Sequence, residues 1–186
     1  MIVKSLFSQL TSDFRIKSLM NQFGIYFNLN LLNLVEPNRA IEIIINLVIM
    51  SYLRNKYSKM KILIEDGLVK EISLKNYKLI KIPESIKELN YINVLSLNSC
   101  QIYNIPSFIN KLSNIKRINL SNNLIEKVPK SIERLENLTH LDLSHNKIKE
   151  IPKSIDKLTN LKYLNLKNNK VKPEFELIKN IPFVEL

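Results

Sequence analysis

The chain has 186 residues, of which 45% are apolar, 24% are charged and none is Trp, a balance that excludes intrinsic disorder and supplies a buried core. Its two glycines, Gly24 and Gly67, exclude the Gly-rich phosphate loops, dinucleotide fingerprints and Gly-Ser-Gly nucleophile elbows, which need glycine where the backbone turns tightly. Lys and Arg number 28 against 17 Asp and Glu, a net charge of +11, but the lysines are scattered among glutamates, so an ordinary solvated basic surface is the first reading and an anion-binding surface the second.

Residues 1–14 lack the unbroken apolar core of a signal peptide. Ser12 and Asp13 cap a predicted helix with Ile16, Leu19, Met20 and Phe23 on one face. Phe27, Leu29 and Leu31 alternate like a strand, yet Leu31, Leu32, Leu34 and Val35 suit a helix, which is the reading adopted. Glu36-Pro37 opens another helix in which Arg39, Glu42 and Asn46 form a thin polar stripe. Ile41, Ile44, Ile45, Val48, Ile49 and Tyr52 cover the remaining girth, so this helix is expected to be buried on several sides. Its apolar stretch, about 14 residues against the ~20 needed to cross a bilayer, also contains Glu42 and Asn46, so no membrane span is expected. Residues 1–60 thus read as a helical region packed on the remainder of the chain, with a membrane-surface or partner-binding helix as the alternative.

Residues 61–68 read as a hairpin strand and turn. Asp66-Gly67 supplies the positive φ angles of a tight turn, and Lys61 to Ile64 lies antiparallel against the next strand and closes its edge.

From Val69 onward the chain repeats every 23 residues: Val69, Ile92, Ile115, Leu138 and Leu161 begin successive rows, and Pro83, Pro106, Pro129 and Pro152 keep the same spacing. The central rows read Ile115-x-x-Ile118-x-Leu120-x-x-Asn123-x-Ile125, Leu138-x-x-Leu141-x-Leu143-x-x-Asn146-x-Ile148 and Leu161-x-x-Leu164-x-Leu166-x-x-Asn169-x-Val171. A fixed short period is the mark of a solenoid, because one unit cannot bury its apolar side chains alone whereas stacked units share a core. Alternation within each row predicts one short strand per unit, with Ile72, Leu95, Ile118, Leu141 and Leu164 in one buried column and Leu74, Leu97, Leu120, Leu143 and Leu166 in another. Each proline is expected at the first position of a short helical segment, with pairs such as Ile86 and Leu89 turned inward.

These rows resemble the leucine-rich repeat family, and Ile151-Pro152-x-x-Ile155-x-x-Leu158 is similar to its 23-residue intracellular Ras-group variety. The resemblance implies an α/β leucine-rich repeat solenoid, right-handed, with parallel strands on its concave face and a small N-terminal helical region. It spans residues 69–172 as five units, the last incomplete, and leaves 173–186 as a C-terminal cap in which Phe175, Leu177, Ile178, Phe183 and Val184 cover the end outside the repeat register. A truncated sixth unit is the alternative. The family assigns Asn123, Asn146 and Asn169 to a structural ladder at the strand exits, with Cys100 a tolerated member. Tyr77 departs from it in the first row. A structural Cys100 is favoured over a catalytic one, since no basic partner adjoins it and burial leaves a thiol inert. As the only cysteine it excludes an intramolecular disulfide, no Cys/His spacing suits a structural zinc, and a reducing, cytoplasmic compartment is expected.

The strand positions that do not point inward form the candidate partner-binding face. One row is Glu71, Val94, Arg117, His140 and Tyr163; the next is Ser73, Ser96, Asn119, Asp142 and Asn165; the third is Lys75, Asn98, Ser121, Ser144 and Lys167. With strands about 4.8 Å apart this face is on the order of 20 Å across, the scale of a protein-binding patch. Arg117, His140 and Tyr163 are its expected centre, since Arg and Tyr dominate binding energy where desolvated. His140, Asp142 and Ser144 suggest a triad, but side chains two apart on a strand stand parallel at about 7 Å, too far for a nucleophile and its base. The expectation is therefore a non-enzymatic, monomeric interaction module without cofactor or metal, binding another protein as a scaffold or regulator in signalling. The resemblance suggests small GTPases among such partners. Nucleic acid is not expected, because only Lys75, Arg117 and Lys167 are cationic on the face and no aromatic series accompanies them; a Lys-rich surface for nucleic acid or lipid is the alternative.

Overall fold

The computed structural model describes residues 37–172 and 175–186. The helices expected before Pro37 lie outside the described residues.

Helix α1 (Pro37–Lys56) leads into the hairpin of β1 (Lys61–Glu65) and β2 (Leu68–Ser73). These two strands pair antiparallel, with a bulge between Leu63 and Ile64. Asp66 and Gly67 turn the hairpin at φ 51° and 74°, the left-handed region that this two-residue turn requires. At Gly67 a Cβ would also stand 2.9 Å from Ile43 Cγ2, so only glycine lets helix and turn meet.

From β2 the strands run parallel: β3 (Val94–Ser96), β4 (Arg117–Asn119), β5 (His140–Asp142) and β6 (Tyr163–Asn165), each shifted by 23 residues along the chain. Between them run one-turn 3-10 helices at Glu84–Glu88, Ser107–Lys111, Lys130–Arg134 and Lys153–Lys157. The prolines precede these helices rather than opening them. Pro83, Pro106, Pro129 and Pro152 are extended (ψ 132° to 153°) and occupy the N-cap, where the Pro carbonyl accepts the first helical N–H. Ile86, Ile109, Ile132 and Ile155 project from the turns into the core.

Both inward columns are buried from first unit to last, no member more than 2% exposed. At roughly 1.5–3 kcal/mol per fully buried Leu or Ile, these columns stabilise the stack but no isolated unit.

The two ends differ from the sequence expectation. Phe183–Glu185, expected as part of a C-terminal cap outside the repeat register, forms β7, which pairs parallel with β6 as Tyr163↔Phe183, Leu164↔Val184 and Asn165↔Glu185. It arrives 20 residues after Tyr163 rather than 23, by way of a single helical turn, α2 (Phe175–Ile178), so its period escapes a search for 23. Helix α1, in turn, points its polar stripe at the repeats. Asn46 is 2% exposed, whereas Ile45 and Tyr52, expected to be covered, are 41% and 46% exposed among the described residues.

A backbone N–H of β2 that the hairpin leaves unpaired explains that orientation. The Val69 N–H donates to Asn46 Oδ1 (2.9 Å), and Asn46 Nδ2 donates to Glu42 O within its own helix (2.9 Å). Tyr91 OH donates to Glu42 Oε1 (3.3 Å), while the Arg39 guanidinium lies 5.1 Å from the centre of the Tyr91 ring. Backbone left unpaired in an apolar setting needs a polar partner, and the stripe supplies it. Asn46→Leu is therefore expected to lower the unfolding free energy by about 1–3 kcal/mol despite adding apolar surface, because it orphans the buried Val69 N–H. A urea denaturation midpoint equal to or above that of the parent would refute this role.

Candidate functional site

The ladder and the outer sheet face are built by the same strand-to-turn geometry. Asn76, Ser99, Asn122, His145 and Asn168, again 23 apart, all have φ between 53° and 57° and turn the chain out of each strand. The following asparagine then points inward. Asn123 Oδ1 accepts the N–H groups of Cys100 and Ile102 (both 2.9 Å), while its Nδ2 donates to the carbonyls of Leu97 (2.8 Å) and Leu120 (2.9 Å). Asn146 and Asn169 repeat the arrangement, accepting from Ile125 and Ile148 at 3.0 Å each.

Cys100 fills the equivalent position with a weaker group. Its Sγ donates to Leu74 O (3.3 Å), as Asn123 Nδ2 does to Leu97 O, and burial pushes the thiol pKa up. A thiol is a poor acceptor. The neighbouring Leu79 N–H goes instead to the Cys100 main-chain oxygen (3.0 Å), and Ile80 and Gln101 take up left-handed φ angles of 70° and 58° there. At Tyr77 the ladder is replaced altogether by an edge-on ring contact with Tyr57 at 5.7 Å. A second asparagine series escaped the sequence reading. Asn114, Asn137 and Asn160 donate to the carbonyls of Asn90, Ser113 and Glu136 one unit earlier, at 2.7 to 2.9 Å, and their 23-residue recurrence was the available signal.

On the outer face the register brings Glu71, Val94, Arg117, His140 and Tyr163 side by side, and Ser73, Ser96, Asn119, Asp142 and Asn165 beside them. The third row does not join them as a uniform exposed strip. Lys75 and Lys167 are exposed, but Ser121 and Ser144 are 6% exposed and donate to Asn119 Oδ1 (2.8 Å) and Asp142 Oδ1 (2.7 Å). Those same oxygens accept the backbone N–H two residues on, so Asn119 and Asp142 close turns as well as facing outward, and the buried Asn165 does so for Lys167.

Arg117 is exposed, and its side chain has neither ion-pair nor hydrogen-bond partner among the described residues. Tyr163 is half-buried and held. Its OH donates to Glu185 Oε1 (2.7 Å) and accepts from Asn165 Nδ2 (3.0 Å). The bond to Glu185, then burial, raises the Tyr163 pKa, while that bond and Lys167 lower the Glu185 pKa. Glu185 thus belongs to the site, and sequence spacing could not reveal it because β7 breaks the period.

His140 lies between Arg117 and Tyr163, its ring 6.0 Å from the tyrosine ring. Its Nδ1 is 2.9 Å from Thr139 Oγ1, which already gives its one proton to Lys116 O. With the Thr139 proton given to Lys116 O, Nδ1 is the donor, and Nε2 of the neutral ring carries the lone pair. Burial, then the charges of Arg117 and Lys162, hold the imidazole below its ordinary pKa. The trio His140, Asp142 and Ser144 contains no nucleophile and base pair, since Ser144 bonds Asp142 and His140 bonds Thr139.

A parallel stack of 23-residue units with two apolar columns and an asparagine ladder is an α/β leucine-rich repeat solenoid, a fold that commonly mediates protein–protein contact. The leucine rich repeat family model matches residues 90–148 and 113–171, so over that stretch the chain is similar to leucine-rich repeat proteins. Among solved structures, a leucine-rich repeat protein of Leptospira interrogans is similar at 33% identity and TM-score 0.58, over 61% of this chain and 30% of that one. A chain of the BIR3–SERK2 complex from Arabidopsis thaliana is similar at 27% identity and TM-score 0.56, over 62% of this chain and 64% of that one. The ectodomain of the receptor kinase SOBIR1, also from Arabidopsis thaliana, shares the fold at 20% identity and TM-score 0.62, over 76% of this chain and 91% of that one. No curated protein matches the chain in sequence.

Proposed function

We propose that the chain is a non-enzymatic interaction module that binds another protein through the outer, concave face of its repeat sheet. The observation that carries this reading is the in-register row of Arg117, His140 and Tyr163, with the guanidinium unpaired among the described residues and the tyrosine held in place by Glu185. Fixing an aromatic side chain before binding removes part of the entropy cost of ordering it in the complex. A cytoplasmic setting is supported by the lone, buried Cys100. Among the described residues no helix is long and apolar enough to cross a membrane. A scaffold or regulator in signalling, with partners such as small GTPases, follows from the resemblance to the intracellular repeat class.

The test is a pull-down from the native cell with the full chain and with Arg117→Ala combined with Tyr163→Ala. The double variant is expected to lose at least about 2 kcal/mol of binding, typical of a hot-spot pair, while keeping a cooperative melt lowered only by the lost Tyr163 contacts to Glu185 and Asn165. A partner retained at full affinity would move the site off this face.

A further inference from the structure

We propose that the outer sheet face recognises an acidic peptide segment, one of whose carboxylates docks between Arg117 and Lys162 at His140 Nε2 and brings a proton onto the imidazole. This rests on the protein-binding reading of the same face and names its chemistry. Lys116 and Lys162 sit at the strand starts on either side of Thr139, linked to it by successive backbone bonds: Thr139 N–H to Lys116 O (2.9 Å) and Lys162 N–H to Thr139 O (2.9 Å). Both are exposed and, like Arg117, carry no ion pair or side-chain hydrogen bond among the described residues. The lysines elsewhere on the repeats include several that are neutralised, as Lys149 is by Glu126, Lys157 by Glu133 and Lys167 by Glu185. Three cations without a partner among the described residues therefore stand on the two units that flank His140, and two of them, Arg117 and Lys162, act on its imidazole.

The groups bearing on that imidazole are Arg117 from β4, Tyr163 and Lys162 from the β6 side, and Asp142 further along its own strand. Asp142 already accepts from Ser144, and Thr139 holds Nδ1, so Nε2 is the atom left to meet a ligand. In the free protein burial, then the neighbouring cations, disfavour the charged imidazole, and Nε2 of the neutral ring is an acceptor. A carboxylate also only accepts, so the two are mismatched until Nε2 takes a proton from solvent and becomes a charged donor. The carboxylate offsets the repulsion from Arg117 and Lys162, and the imidazole pKa rises on binding. Proton uptake on binding means that affinity increases as pH falls through the range of the free imidazole, by at most about tenfold per pH unit for one proton. A peptide suits this face better than a polyphosphate chain, because the cations form a short cluster bounded by Asp142 and Glu185, which would repel a continuous backbone of phosphates.

The experiment measures binding of a fluorescein-labelled oligoglutamate peptide by anisotropy at constant ionic strength, at about pH 7.5 and about pH 6. The parent is expected to tighten by about threefold or more at the lower pH, and His140→Gln to lose that dependence. Arg117→Ala with Lys162→Ala is expected to weaken binding about tenfold, whereas Lys130→Ala with Lys153→Ala, which removes equal charge from the 3-10 turns, stays within about twofold. The inference is overturned by a pH-independent affinity in the parent, by His140→Gln keeping the dependence, or by equal losses in the two double variants. It is also overturned if an oligothymidylate competes more strongly than the peptide at the same residues. Loss of a cellular partner on Arg117→Ala with Tyr163→Ala, alongside failure of the peptide, would leave the binding face standing and sink only its acidic, proton-linked chemistry.

Discussion

Leu143→Asp is expected to unfold the repeat array as a unit. Leu143 is 1% exposed within the column formed with Leu74, Leu97, Leu120 and Leu166 and lies in the apolar core of the described residues, so the new carboxylate meets no partner there. The lost burial alone costs about 2–3 kcal/mol, and an unpaired buried charge adds several more, against a total stability of about 5–15 kcal/mol for a chain of this kind. Because each unit is held by its neighbours, the damage spreads to both sides of the substitution. Leu124→Asp is the control: Leu124 lies in the same part of the stack at 40% exposure, and its change is expected to cost about 1 kcal/mol or less. Circular dichroism melts of the two variants check this, and a parent-like melt for Leu143→Asp would contradict the register of the core.

Asn123→Ala is expected to cost about 3–5 kcal/mol, more than most single polar substitutions. The amide serves two buried N–H groups of the preceding unit and carbonyls of both units, so its removal orphans several backbone groups with no access to water. Asn169→Ala removes a similar set of bonds but at a half-buried site at the end of the ladder, where water can replace the amide, and should cost less than half as much. Urea denaturation of both variants distinguishes them. Equal losses would mean that the ladder contributes through each turn separately rather than by joining units.

Much of this arrangement was legible from particular residues. The strand pairing Arg117↔His140↔Tyr163 follows from a shift of 23 positions, and the inward columns and the inward Asn123, Asn146 and Asn169 follow from the same shift. The outward rows were legible only as positions. That Ser121 and Ser144 turn back onto Asn119 and Asp142, and that Asn165 is buried, depends on local turn geometry, for which a polar side chain facing solvent and one closing a turn look alike in sequence. The use of proline as an N-cap rather than a first helical residue is a similar case, because both positions accept its fixed φ.

By itself the sequence determined the repeating part of the protein: the period, the two buried columns, the ladder and the order of side chains along the sheet. It could do so because every unit meets a near copy of itself, so a contact made once is made at each repeat and leaves its period in the chain. Only the tertiary structure decided what happens where the copies stop. Asn46 of α1 takes the Val69 N–H, β7 joins the sheet after 20 residues, and Glu185 on that strand holds Tyr163 on the outer sheet face. Each of these answers an exposed edge with a segment that has no counterpart elsewhere in the chain, and a contact made once carries no period from which to read it.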